Sequence, residues 1–143
     1  MKKLVVFLLV AVVLTLSGCS KEENKLYRLK GKYETNEDLQ IIAHREYSLE
    51  DKQLNYYITY LGDEEGSVAA DHNCFELHKL VDGKWKRVGT KVNQEWNAMA
   101  LVMEPHQIDE RKIELDDYFY LPLEAGEYRI AVGTYLSNEF TIS

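Results

Sequence analysis

The chain has 143 residues and a net charge of −7, from 24 acidic against 17 basic side chains. That length suits one domain with one core. The acidic balance argues against nucleic acid and anionic headgroups as partners, since both need positive surface.

Met1-Lys2-Lys3 makes a positive start, and residues 4–16 form an almost unbroken apolar run. The run has signal-peptide length and falls short of the roughly twenty residues a spanning helix needs. Leu16-Ser17-Gly18-Cys19 follows. Its small residues let an extended chain enter a signal-peptidase groove, and the thiol at the first mature position is able to take a diacylglyceryl group. The stretch resembles a lipobox. Residues 1–18 are therefore read as a lipoprotein signal peptide and Cys19 as the lipidation site, which puts the mature chain on the extracytoplasmic face of the cell membrane. Each buried CH₂ of an acyl chain contributes ~0.8 kcal/mol, so two or three chains suffice as an anchor. Cleavage removes Lys2 and Lys3 and takes the charge from −7 to −9. With Cys19 acylated only Cys74 remains, and no intramolecular disulfide is possible.

Residues 19–36 are charged and polar with isolated aromatics, and predict a tether. From residue 37 to 143 the pattern becomes short runs rich in β-branched and aromatic residues, broken by turn signals. Leu39, Ile41 and Ala43 alternate with polar neighbours within a strand over residues 37–47. Leu54, Tyr56, Ile58 and Tyr60 do the same over residues 53–61. Residues 62–66 (GDEEG) read as a solvated loop. Residues 74–81 and 84–88 flank Asp82-Gly83, whose tolerance of positive φ marks a tight hairpin. Strands over residues 96–103, 107–115, 127–133 and 139–143 complete the series, with Pro105 ending the first of these. Even spacing without helices predicts an all-β, antiparallel β-sandwich of about seven or eight strands with no disulfide.

Within Leu123-Glu124-Ala125-Gly126-Glu127-Tyr128-Arg129-Ile130 the spacing suggests a tyrosine corner, with Tyr128 returning its hydroxyl to backbone upstream. Ile130 stands where an antibody domain carries its second cysteine. This stretch, the hairpin from Phe75 through Asp82-Gly83 and Trp85 to Val88, Ile113-Glu114-Leu115-Asp116-Asp117-Tyr118 and Glu139-Phe140-Thr141-Ile142 together resemble bacterial Ig-like domains, found mainly in lipoproteins of Gram-positive bacteria. Two stretches depart from that pattern: Val88-Gly89-Thr90 lacks a proline, and Pro105-His106-Gln107 replaces a Pro-Gly turn. The resemblance implies an immunoglobulin-like sandwich serving as a cell-surface accessory domain, and supplies no catalytic residue.

His72, Cys74, Glu76 and His78 are metal-ligand types on one face of a strand, a stripe expected to face solvent. Same-face neighbours are ~6.5–7 Å apart, whereas zinc sits about 2.0–2.3 Å from each ligand. Two of them at most share an ion, so no metal or other cofactor is assigned. Asp63-Glu64-Glu65 and Asp116-Asp117 lack the spacing of a calcium loop. Nucleophile elbows, zinc-protease motifs and phosphate loops are missing from the sequence, and the chain is read as no enzyme. Ten tyrosines point instead to contact area. Tyr57, Tyr118 and Tyr120 are the candidate ligand-binding residues, with Tyr56, Tyr60 and Tyr128 facing inward and Trp85 in the core. The expected function is a non-catalytic binding or adhesion module with a protein or cell-envelope ligand, held to the membrane by the lipid on Cys19. A secreted-side inhibitor or metal-handling lipoprotein is the alternative, and an unrecognised enzyme the third.

Overall fold

Two-residue alternation decides which side chains meet across the interior. The computed structural model describes residues 22–69, 75–93 and 100–143; Cys19, His72 and Cys74 lie outside them. The elements in chain order are β1 (Leu26–Arg28), β2 (Leu39–Ala43), β3 (Glu46–Tyr47), β4 (Gln53–Tyr60), β5 (Gly66–Ala69) and β6 (Phe75–Val81). They continue with β7 (Lys84–Val88), β8 (Ala100–Met103), β9 (Ile108–Glu114), the single helical turn α1 (Leu115–Tyr118), β10 (Gly126–Val132), β11 (Tyr135–Leu136) and β12 (Phe140–Ile142). The larger sheet has the order β1-β7-β6-β10-β12-β3, with β11 also on β10; the smaller is β2-β4-β9; β5 and β8 form a two-stranded ribbon. The fold is all-β, an Ig-like sandwich whose named strand pairs are antiparallel apart from β12–β3.

The inward faces supply the core: Leu39, Ile41 and Ala43 from β2, Leu54, Tyr56 and Ile58 from β4, and Phe75 and Leu77 from β6. Tyr128, Ile130 and Val132 of β10 meet them, and Phe119 seals the end after α1. Ile130, in the second-cysteine position, is fully buried and pairs with Leu77. Asp82 and Gly83 both adopt positive φ, 51° and 74°, as the tight hairpin between β6 and β7 requires. The tyrosine corner is present: the Tyr128 hydroxyl donates to the backbone carbonyl of Glu124 at 2.6 Å.

Several elements differ from the sequence-based expectation. Residues 37–47 are two strands, not one, because the Asn138 amide closes the end of β2, accepting from the Ala43 N–H at 2.8 Å and donating to its carbonyl at 3.1 Å. The chain then changes sheets, and β3 pairs with β12. The loop at residues 62–66 folds tightly over Tyr60: an added Cβ would lie 2.2 Å from its hydroxyl at Gly62 and 2.4 Å at Gly66. A side chain at either position would have to displace the outer end of the Tyr60 ring. Residues 24–34 do not form a free tether. The unpaired edge of β7 recruits β1 in the register Leu26↔Val88, Tyr27↔Arg87 and Arg28↔Lys86. The chain then crosses the outer face of the large sheet to Glu34, whose N–H donates to Thr134 and whose carbonyl accepts from Leu136. This crossing segment is a strap.

Trp85 is half-buried rather than core. It lies on the outer face, with the Arg129 guanidinium 4.4 Å from its ring centroid. Trp85→Ala is expected to cost about 1–2 kcal/mol, the scale of a partly desolvated cation–π contact with limited burial. Phe119→Ala, at a fully buried ring, is expected to cost ~3–5 kcal/mol. Equal shifts in denaturation midpoint for the two variants would contradict this ranking. Tyr128→Phe keeps the ring but strands the Glu124 carbonyl, and a loss of about 1–2 kcal/mol at unchanged denaturant slope is expected.

Candidate functional site

The cross-strand register of the large sheet sets a row of side chains on its outer face: Tyr27 on β1, Arg87 on β7, His78 on β6 and Arg129 on β10. Glu76 stands two residues along β6 on the same face. The strap lowers Tyr33 onto this row, its ring meeting His78 edge-on with centroids 4.8 Å apart. The Tyr33 hydroxyl donates to Glu76 Oε2, which lies 2.8 Å from His78 Nε2. Arg129 Nε donates to His78 Nδ1 at 3.1 Å. A guanidinium has no acceptor to offer, so the network assigns a neutral imidazole whose Nε2–H donates to Glu76. Every polar atom of that ring is satisfied, which is what permits its full burial.

Burial pushes the Glu76 carboxyl up, but the bonds from His78 and Tyr33 outweigh it and hold the group below its usual range. Burial, reinforced by the bond to Glu76, raises the Tyr33 phenol well above its ordinary value. Beside the network a groove of about 550 Å³ opens between strap and sheet, with Lys30, Lys32, Arg87 and Thr90 on its walls. Among the described residues no serine, cysteine or histidine lines it. The network is a clasp for the strap: it presents neither an activated nucleophile nor a free base.

The expectation of a solvent-facing ligand stripe fails at His78. That side chain is buried with both ring nitrogens engaged, so it has no lone pair for a metal, and Glu76 is turned to Tyr33 and His78. Among the described residues no three His, Cys, Asp or Glu side chains group as a metal site. The three candidate tyrosines do not share one place. Tyr118 is half-buried against Phe75, ring centroids 4.9 Å apart, and packs on the core edge. Tyr120 is pinned by both its backbone groups to the Asn24 side chain, at 2.7 and 2.8 Å, with Lys91 5.6 Å from its ring centroid. Tyr57 stays on the outer face of the small sheet, paired with Ile42 and Glu110, beside the Thr59↔Ile108 pair. Ile42 is 43% exposed and Ile108 65%. Sequence reasoning missed Tyr33 and Arg129, because the strap's register over the sheet depends on a pairing that no alternation in residues 19–36 announces.

The Glu76 carboxyl binds protons less tightly in the fold than in the unfolded chain. Its contribution is therefore complete above the ordinary carboxyl value of 4.5 and is lost as pH falls through the folded value. Glu76→Gln is expected to melt lower than the parent chain at pH 7 and to lose less stability on acidification below that point. Parallel melting curves for the two proteins from pH 7 to 3 would refute the assignment.

Comparison with known proteins adds the following. A search of curated proteins finds no match. Among solved structures, a β-glucosidase from Erythrobacter marinus aligns at 17% identity and a TM-score of 0.38, over 73% of this chain and 15% of that one. This chain thus spans a small part of that protein's length. The family model of the bacterial Ig-like domain matches residues 34–141, leaving β1 and Tyr33 on its amino-terminal side. The match covers both sheets and the tyrosine corner, and the chain belongs to the bacterial Ig-like domain family.

Proposed function

We propose that the chain is a lipid-anchored extracytoplasmic protein whose Ig-like domain is a non-catalytic binding module for a protein or cell-envelope component. The observation that carries the binding part is the outer face of β2-β4-β9, where Ile42, Tyr57 and Ile108 stand together. Apolar and aromatic groups at the centre of a contact supply most of its free energy. They are ringed here by Gln40, Thr59 and Glu110, a polar rim of the usual kind. The anchor part is supported by Leu16-Ser17-Gly18-Cys19 behind its apolar run.

Affinity capture from the parent cell envelope is expected to retain a specific component on the intact domain. Tyr57→Ala and Ile108→Asp should each weaken retention by about tenfold, the effect of losing one central anchor, without lowering the melting temperature by more than a few degrees. Retention untouched by both changes would place the contact elsewhere. For the anchor, Cys19→Ala should leave the protein unprocessed or released, and an unmodified Cys19 in the mass spectrum of the mature protein would refute lipidation.

A further inference from the structure

The net charge taken alone argues against anionic headgroups, but the charge of this chain is strongly polarised. Residues 25–33 carry Lys25, Arg28, Lys30 and Lys32 and no acidic residue. Residues 84–92 carry Lys84, Lys86, Arg87 and Lys91, again with no acidic residue. β1 pairs with β7 within these segments, setting Arg28 against Lys86 and Lys25 beside Gly89. One sheet edge and the strap leaving it therefore gather eight of the 17 basic side chains of an acidic protein. The carboxylates bordering them are Glu22 and Glu23 before β1, Asp82 in the hairpin turn, Glu34 at the end of the strap, Asp116, which meets Lys91 at 3.5 Å, and Glu124, which shares a pocket with Leu26 and Val88 and is paired with Lys79. Glu76 is engaged by Tyr33 and His78. The same edge exposes Leu26 (38%) and Tyr27 (43%), an aliphatic and an aromatic between cations, the combination that suits a headgroup layer.

From this placement, and resting on the lipid-anchor reading of Cys19, we infer that the β1–β7 edge with its strap is a docking surface for an anionic bilayer. Chain length supports the choice of occupant. Asn24 is already fixed to Tyr120, and the five residues from Cys19 to Asn24 reach at most about 18 Å when extended. An acylated Cys19 thus delivers this edge to the headgroups, and the cations there are attracted to anionic lipid over about a Debye length. The acidic remainder of the domain is repelled, so the attraction orients the molecule as well as holding it. The exposed face of β2-β4-β9 belongs to the other sheet and stays open to a partner.

The test uses the protein purified from its own membranes in detergent, reconstituted into phosphatidylcholine vesicles with or without phosphatidylglycerol, and treated with an amine-acylating reagent. Lys25, Lys30, Lys32, Lys84 and Lys86 should label about fivefold less on the anionic vesicles, and the difference should vanish near 1 M salt, where the Debye length is about 3 Å. Lys52 and Lys112 should label equally on both. Equal labelling of the edge lysines on the two vesicle types, or protection of Lys52 and Lys112 instead, overturns the proposal. Protection in isolated cell envelopes without protection on anionic vesicles also overturns it, assigning the edge to a wall polyanion. An unmodified Cys19 in the same spectra refutes the anchor reading alone; unlipidated protein added to preformed vesicles then tests the edge through the same lysines.

Discussion

Apolar contact between the inward faces of two sheets is the constraint on which everything else here depends. Where an antibody domain joins its sheets by a disulfide, this chain places Ile130, fully buried and paired with Leu77. Cohesion then comes from area removed from water, at about 25 cal/mol per Å², and from close fit. Tyr128 serves both requirements, stacking on Phe140 with centroids 6.2 Å apart while its hydroxyl ties back to Glu124. Because the core is predominantly apolar and, among the described residues, carries no charged side chain, charge is free to be arranged on the outside. The outside of this domain is correspondingly uneven.

Much of the fold was legible in the sequence because its signals are local. Alternation in β2 and β4 shows which side chains turn inward, Asp82-Gly83 marks the hairpin, and the run from Leu123 to Ile130 marks the corner; each depends on residues within one turn or strand. The misreadings share the opposite property. β1, three residues long, is a strand only because the edge of β7 is there to receive it. His78 is buried because Tyr33, some forty residues earlier, covers it. Trp85 looked like a core aromatic by residue type, yet its partner is Arg129 on the outer face. Of the candidate site, Tyr57 on its sheet face followed from period-two register. The clasp did not, since long-range pairing brings its members together.

Polar groups are costly to bury unless all are matched, and the outer face of the large sheet meets that condition at His78. The result is a second, small interior, built from hydrogen bonds and lying beneath the strap, on the opposite side of the large sheet from the apolar core. The family match begins at Glu34, where the strap rejoins the sheet edge. The Ig-like unit is therefore shared with the family, while β1 and Tyr33 extend it toward the amino terminus. This extension brings cations and the clasp to a face that would otherwise be a plain sheet surface.

The strap also determines how the molecule bears a mechanical load. A pull entering from the amino-terminal side meets the bonds between Asn24 and Tyr120 first, then the three residue pairs of β1 and β7, then Tyr33 and the backbone bonds of Glu34, and only afterwards the strands of the core. Tension is thus taken up in small, re-formable steps.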